Sequence, residues 1–411
     1  MTRAGNGVLI VGTGQAGIQL AVSLREEGYD RPITLVGDEA PVRRPPLSKG
    51  FLKNTEAEES LRPKAPGYFA AHDIELVQGT RVTGIEREAG RVRTAAGSWH
   101  GYEHLVLATG VRNRALGVPG GDLDGVMSLR TLSDARSIRD RIGDARNVVI
   151  AGAGFIGLEV ATVARELGAE VTVVERGARP MMRTVSERTA AHLHGLHERA
   201  GTGFRFSSGI ASLTGRRRRV TQVALTDGEV LPADLVLVAI GVVPVTELAS
   251  ACGLPVAGGI VVDALLATPD PAVSAIGDCA AHPSTHADGA MVRVESVQNA
   301  VDQARCLAAR LAGRPRRYES LPWFWSDQAG ARLQIAGLTS GHDHTVVRGD
   351  PASGAFSTFC YAGDRLLGVE SVNRPADHIR VRRLLEARVA LPPGQAADPD
   401  LDLRAHPAPA A

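Results

Sequence analysis

The 411-residue chain is 44% hydrophobic and carries 46 Lys+Arg against 45 Asp+Glu, a formal net charge of +1. It therefore has apolar material for two or three packed domains, and no overall field marks it as a nucleic-acid or membrane-surface binder. Cys252, Cys279, Cys306 and Cys360 lie far apart with no C-x-x-C pair, which excludes a redox dithiol or cluster-binding motif and leaves each as a small buried apolar residue.

From the N-terminus, "MTRAGNGVLIVG" enters a strand with no apolar leader, which gives a cytoplasmic expectation. Residues 7–28 read as an apolar run, a glycine turn and a helix, and "ITLVGDE" at 33–39 completes a βαβ unit. A further strand, "EHLVLATGVRNR" at 103–114, ends in a small-residue turn. The same series returns at 147–175 and closes with "ADLVLVAIGVVP" at 233–244. The longest apolar run, 235–245, contains Pro244 and falls short of the ~20 residues a bilayer requires. "PAVSAIGDCA" at 271–280 reads as another buried strand, followed by an amphipathic helix over 296–313.

Beyond "RPRRYESLP" the pattern changes to alternating strands, "ARLQIAGL", "HTVVRG" and "FSTFCYAGDRLLGVESV", then one helix near 376–388. The tail from Leu391, rich in Pro, Ala and Asp, is expected to be poorly ordered at its end. The fold class is α/β. Two interleaved Rossmann-like dinucleotide-binding domains are expected, one over 1–114 and 240–320 and the other over 115–239, with a smaller α+β domain over 321–411.

The repeated unit carries the chemistry. G-x-G-x-x-G occurs as Gly12, Gly14, Gly17 and again as Gly152, Gly154, Gly157, each after a strand and opening a helix. The first glycine permits the turn, the second admits a pyrophosphate to the backbone, and the third lets helix pack on strand. An acidic residue ends the next strand in each unit, Asp38 or Glu39 in the first and Glu175 in the second, near the ~20-residue spacing that puts a carboxylate on a ribose hydroxyl. Two dinucleotides on one chain point to a bound FAD and a visiting NADH, since a hydride passes between stacked rings. The first unit is completed far downstream by "SAIGDCA", whose Asp278 is placed to hold the ribityl chain, so it takes FAD, and the self-contained second unit takes the nicotinamide. Glu175 favours NADH over NADPH, with Arg176, Arg179 and Arg183 nearby tempering that preference.

"RPPLSK" (44–49), "ATG" (108–110), "GAGFIGLE" (152–159), "GDCA" (277–280), "RVESVQNAVDQA" (293–304) and "PWFWSDQ" (322–328) together resemble the FAD-dependent ferredoxin reductases of oxygenase systems, over nearly the whole chain. That resemblance implies a glutathione-reductase-like arrangement. It also implies that Lys49, one of the lysines with Lys53 and Lys64, sits beside the flavin ring and pairs with Glu159 next to the nicotinamide ribose. Val82, Arg130, Asp278 and Val297 fall where the family contacts FAD, and Trp325 where an aromatic ring packs on the flavin edge, with Trp323 left to the core. Ala16, Arg44, Ala108, Thr109, Gly110, Ile156, Gly241 and Gly277 complete the expected cofactor contacts. The chain departs from the family at Val42, Arg43, Ala329 and Gly330.

The implied activity is an NADH-dependent reductase passing electrons through FAD, singly, to a 2Fe-2S ferredoxin that serves a haem or Rieske oxygenase, with the enzyme a monomer or weak dimer. Arg305, Arg310, Arg314, Arg316 and Arg317 are the candidate docking patch for that acidic partner. Rubredoxin, a quinone or monodehydroascorbate are rival acceptors, and a flavin-based NADH sensor similar to apoptosis-inducing factor is the rival of another class. His192, His194 and His197 fan out around a helix at about 100° per residue, which argues against a metal site. "RRRR" at 216–219 reads as a solvated turn between strands.

Overall fold

A computed structural model of the chain describes residues 7–404, and over them the molecule divides into two compact units. The first takes the chain up to Arg43, then Glu58–Arg112 and Val243–Pro322. The second takes Arg44–Ala57, Asn113–Val242 and the chain from Trp323 onward.

The first unit is built on a five-stranded parallel sheet in the order Val273–Ala275, His104–Leu107, Val8–Val11, Ile33–Gly37, Ile74–Gln78. Val8–Val11 is buried along its whole length, as a central parallel strand covered on both faces must be. The helix Gln15–Glu26 packs on the helix Val297–Leu311, which Ser296 caps by accepting from the Asn299 amide. A three-stranded antiparallel sheet, Val82–Glu86, Arg91–Thr94 and Trp99–Gly101, and a smaller one around Ala280–Pro283 complete the unit.

The second unit repeats the plan. Its parallel sheet runs Thr202–Arg205, Glu170–Val174, Asn147–Ala151, Leu235–Val238, Val126–Met127. In each sheet the glycine-loop strand lies between the next strand of its βαβ unit and a returning strand. Strand order therefore reverses direction there, and a crevice opens at the carboxyl ends, where ligands bind in open α/β sheets. The hairpin Ile210–Arg216/Arg219–Leu225 turns at Arg217 and Arg218, both at positive φ, which fits the exposed two-residue turn read from the arginine run.

The same unit holds a five-stranded antiparallel sheet in the order Trp323–Gln328, Ala331–Gly337, Arg365–Val372, Ala355–Ala362, His344–Asp350, with the helix Pro375–Glu386 packed on it. Its interior is partly polar. Buried Asp377 accepts from Ser357 Oγ at 3.1 Å and Arg374 Nε at 2.9 Å. Glu370, fully buried, accepts from the Ser186 amide at 2.8 Å and from Ser186 Oγ at 2.6 Å. Ser186 is the N-cap of the helix Glu187–Arg199, so a carboxylate of this sheet anchors that helix at its positive end.

The tail beyond Leu391 is held down. Tyr361 donates to the Leu391 carbonyl at 2.9 Å, and Arg348 donates to the carbonyls of Pro399 at 3.1 Å and Leu401 at 2.7 Å. Its last residues lie outside the described ones.

Residues 44–57 belong to the second unit, although their place in the chain suggests the first. Ser48 and Lys49 hydrogen-bond Glu159, and the Arg139 guanidinium lies 4.4 Å from the centre of the Phe51 ring, which is itself buried. Among the described residues no helix is long and apolar enough to cross a membrane.

Candidate active site

Each glycine loop has the geometry its sequence demands. Gly12 has φ +118°, and a Cβ there would stand 2.2 Å from the Ala108 carbonyl oxygen. Gly152 has φ +101°, and its Cβ would stand 2.4 Å from that of Ala239. At Gly17 and Gly157 a Cβ would lie 2.0 and 2.3 Å from the carbonyl oxygens of Gly12 and Gly152. These four glycines are therefore required by backbone contact. The middle glycines differ, since Gly14 and Gly154 are extended and a Cβ on Gly154 would meet nothing within 4 Å.

The helices that follow these loops, Gln15–Glu26 and Phe155–Glu166, have no side-chain cap and no acidic residue in the first turn. Thr131, Ser186 and Ser296, by contrast, cap the starts of other helices. A helix start that forgoes a cap worth about 1 kcal/mol keeps its N–H groups and positive end for an anion. Both loops fit the pyrophosphate of a dinucleotide on this ground.

Around the first loop the fold gathers Gly12, Ala16, Ala108 and Gly277, a Cβ on Gly277 standing 2.9 Å from that of Ala16. Thr109 Oγ1 donates to the Val245 carbonyl at 2.6 Å, and Gly110 turns the chain at φ +67°. Gln303, fully buried, accepts from the Gly277 amide at 2.6 Å and so fixes the loop carrying Asp278. Asp38 is exposed and paired with Arg81 at 2.7 Å, whereas Thr13 Oγ1 holds the Glu39 carbonyl at 2.6 Å. Val82 is buried at the start of the antiparallel sheet, and Val297 is the first residue of its helix.

At the second loop, Glu175 accepts from the Ala153 amide at 2.8 Å and the Gly177 amide at 2.7 Å. Its carboxylate is thus fixed at the end of its strand, beside the glycine turn. Arg179 is occupied with the carbonyls of Pro180, Met182 and Val185. Gly241, at φ +96°, ends the returning strand and accepts from the Arg114 amide at 3.0 Å. Ile156 is exposed on the first turn of the glycine-loop helix. Arg44 and Arg130 flank the Pro45–Ser48 turn and the helix Leu132–Ile142 respectively.

One charged cluster stands apart. Glu159, on the helix Phe155–Glu166, is only 4% exposed, yet it accepts three hydrogen bonds: from Lys49 Nζ at 2.7 Å and Ser48 Oγ at 2.5 Å on Oε2, and from Ser326 Oγ at 2.6 Å on Oε1. A carboxylate so buried needs this set of donors to offset its desolvation.

Ser48, Ser326, Gln328 and His197 are members of this cluster that sequence reading missed. The signal for two of them was present, since Ser326 and Gln328 alternate along one strand and so share the face opposite Trp325. Trp325 lies half-buried, 5.6 Å from Trp323, which packs on His378 and Arg382.

One expectation changes. Arg310 is not part of an exposed patch. It turns inward, donates to Ser274 Oγ at 2.5 Å, and burial lowers its pKa, because the helix face that carries it packs toward the parallel sheet. Arg314 is exposed but engaged with the Glu27 carbonyl at 2.8 Å. The cysteines are free, and those at 279, 306 and 360 are buried; desolvation raises the pKa of all four, so none is poised for thiol exchange.

Comparison with known proteins agrees with this geometry. Residues 6–304 match the family described as pyridine nucleotide-disulphide oxidoreductase, and residues 323–406 match a reductase C-terminal family. The chain belongs to the pyridine nucleotide-disulphide oxidoreductases, and it is an FAD-dependent oxidoreductase with a nicotinamide nucleotide as electron donor. It is similar to the rhodocoxin reductase of Rhodococcus erythropolis, with 50% identity over 97% of this chain and 93% of that one. It is also similar to the crystal structure of the ferredoxin reductase for the CYP199A2 system of Rhodopseudomonas palustris, at 47% identity and TM-score 0.95 over 97% and 99% of the two chains. The putidaredoxin reductase in a covalent complex with putidaredoxin is 40% identical, with TM-score 0.94 over 98% of each chain.

Proposed function

We propose that this protein is an NADH-dependent ferredoxin reductase in which the first glycine loop holds FAD, the second holds NADH, and a 2Fe-2S ferredoxin serving an oxygenase is the acceptor. The observation that carries this reading is the pair of uncapped, glycine-cradled helix starts in a chain whose cysteines are single and inert. A flavin held at the first glycine loop would supply two-electron acceptance from a nicotinamide and one-electron release to an iron–sulfur acceptor.

The protein's own residues bind and orient. The Gln15 and Phe155 helix starts take the two pyrophosphates, and Gly277 with Asp278 supports the first dinucleotide. Glu175, already aligned by two amides, accepts from a ribose 2′-hydroxyl and repels a 2′-phosphate, while Arg179, spent on carbonyls, offers that phosphate little. The Lys49–Glu159 pair belongs to the hydride-transfer machinery, as the resemblance implies, and its low exposure excludes bulk water from that carboxylate. The acceptor docks on the exposed arginines Arg305, Arg314, Arg316 and Arg317.

The names of the similar proteins support a ferredoxin acceptor over a thiol or disulphide. Stopped-flow mixing of NADH-reduced enzyme with excess oxidised 2Fe-2S ferredoxin, without oxygen and at two salt concentrations, tests the reading. Fast flavin reoxidation that slows with salt is expected. A flavin that stays reduced against ferredoxins and rubredoxins alike would refute it in favour of an NADH sensor.

A further inference from the structure

We propose that Ser326, Gln328 and His197 are positioning residues, a hydrogen-bond relay that holds the Glu159 carboxylate in one orientation; this rests on the reading of Lys49–Glu159 as hydride-transfer machinery. The relay runs through three separate elements. Ser326 and Gln328 come from the first strand of the C-terminal sheet, Glu159 from the glycine-loop helix, and His197 from the helix that buried Glu370 anchors through Ser186.

The direction of every bond in it is determined. A carboxylate can only accept, so Ser326 Oγ donates to Glu159 Oε1 at 2.6 Å. With its single proton committed, Ser326 Oγ must accept the 2.7 Å bond from Gln328 Nε2. That assignment points the Gln328 oxygen at His197 Nε2, 3.0 Å away, so Nε2 carries the proton of a neutral imidazole. Burial lowers the His197 pKa, with the Gln328 bond opposing, and its Nδ1 has no partner among the described residues. Reversing any one member would set acceptor against acceptor at the next. Donation therefore runs one way, from imidazole to carboxylate, and Gln328 Nε2 also ties to the Phe155 carbonyl at 3.2 Å, at the start of the glycine-loop helix.

An apolar seam between sheet and helix would pack as well and spare the desolvation of three polar side chains. The polar chain is accounted for if its work is at Glu159. Ser48 and Lys49 hold Oε2, and without Ser326 the other oxygen would be buried unpaired and the side chain free to turn about the Oε2 bonds.

The test uses the FAD-loaded full-length protein and compares wild type, Ser326→Ala, Gln328→Met, Glu159→Gln and the double variant Ser326→Ala/Glu159→Gln. In anaerobic single turnover, Ser326→Ala and Gln328→Met should each lower the limiting rate of flavin reduction by NADH roughly tenfold, the cost of a slightly misplaced group. The apparent Kd for NADH should stay within about threefold, and Ser326→Ala should add nothing in the Glu159→Gln background. A wild-type limiting rate in both relay variants, beside a slow Glu159→Gln, would overturn the relay and leave the function intact. If NADH fails to reduce the wild-type flavin at all, the functional reading fails, and the relay is then judged without turnover. In histidine-labelled NMR, Glu159→Gln should shift the His197 Nε2–H resonance, and Ser326→Ala should abolish that response. A His197 resonance indifferent to Glu159 would overturn the relay.

Discussion

Replacing Gly154 with alanine separates cofactor binding from folding. The residue sits at φ −82° and ψ −179°, which any L-residue adopts, and its Cβ would meet no atom within 4 Å. Alanine is a poorer N-cap than glycine by about 0.5–1 kcal/mol, and the stiffer unfolded chain returns about 0.4–1 kcal/mol. The two nearly cancel, so Tm should move by about 4 °C or less. The new methyl, however, stands in the approach to an uncapped helix start, and a pyrophosphate forced back loses one or two N–H contacts and part of the dipole attraction. A loss of about 1.5–2 kcal/mol corresponds to a KM for NADH raised roughly 10–30-fold. Flavin content and Tm are read alongside a single-turnover NADH titration. Gly152→Ala is the contrast, since φ +101° and a 2.4 Å clash with the Ala239 carbonyl should damage the fold itself. An unchanged NADH titration in fully flavinated Gly154→Ala would refute the placement of NADH on this loop, and loss of flavin would reverse the assignment of the two loops.

Three other outcomes are expected. Ala329 (φ +45°) and Gly330 (φ +83°) form the turn between strands Trp323–Gln328 and Ala331–Gly337, so Ala329→Gly or Asn should relieve left-handed strain and raise stability by about 0.5–1 kcal/mol by calorimetry. Burial, joined by a nearby arginine in each case, holds His104 and His378 down to about 4 in the folded protein, against about 6.5 unfolded. Their contribution is complete above pH ~6.5. As pH falls, the unfolded chain takes up protons that the folded one refuses, and roughly 3 kcal/mol per histidine is lost by about pH 4. His378→Phe should flatten that acid limb in denaturant titrations, and an unaltered limb would show that His378 does not titrate there. Charge reversal at Arg316 and Arg317 should slow flavin reoxidation by ferredoxin about tenfold at low salt, with the difference fading as salt rises and NADH reduction unaffected. An equal rate at low salt would place the docking face elsewhere.

What could be read from the chain was what is local in it. The glycine loops were legible because turn, close approach and helix start all fall within six residues, and the structure gives the first and third glycine of each loop its expected backbone contact. The arginine hairpin followed from the same short-range geometry, and of the three histidines His192 stands apart while His194 and His197 both lie against Phe204. His192 lies against Phe356, His194 against Phe204, and His197 bonds Gln328.

Where the reading failed, the deciding contact lay far along the chain. Arg310 looked like one more cation on a solvated face until the sheet strand carrying Ser274 is set beneath it. Residues 44–57 follow the first βαβ unit in sequence yet fall in the second unit, and the pairing of Lys49 with a carboxylate 110 positions away was legible only through the family resemblance. Ser326 and Gln328 are separated from Glu159 and His197 by 167 and 131 positions. A serine, a glutamine and a histidine have no common sequence signature, and only the direction of proton donation, visible once they touch, makes them a unit. Such a unit is also the kind most exposed to experiment. Each member is buried and each bond has one allowed direction, so removing a single hydroxyl at Ser326 should be felt at both ends.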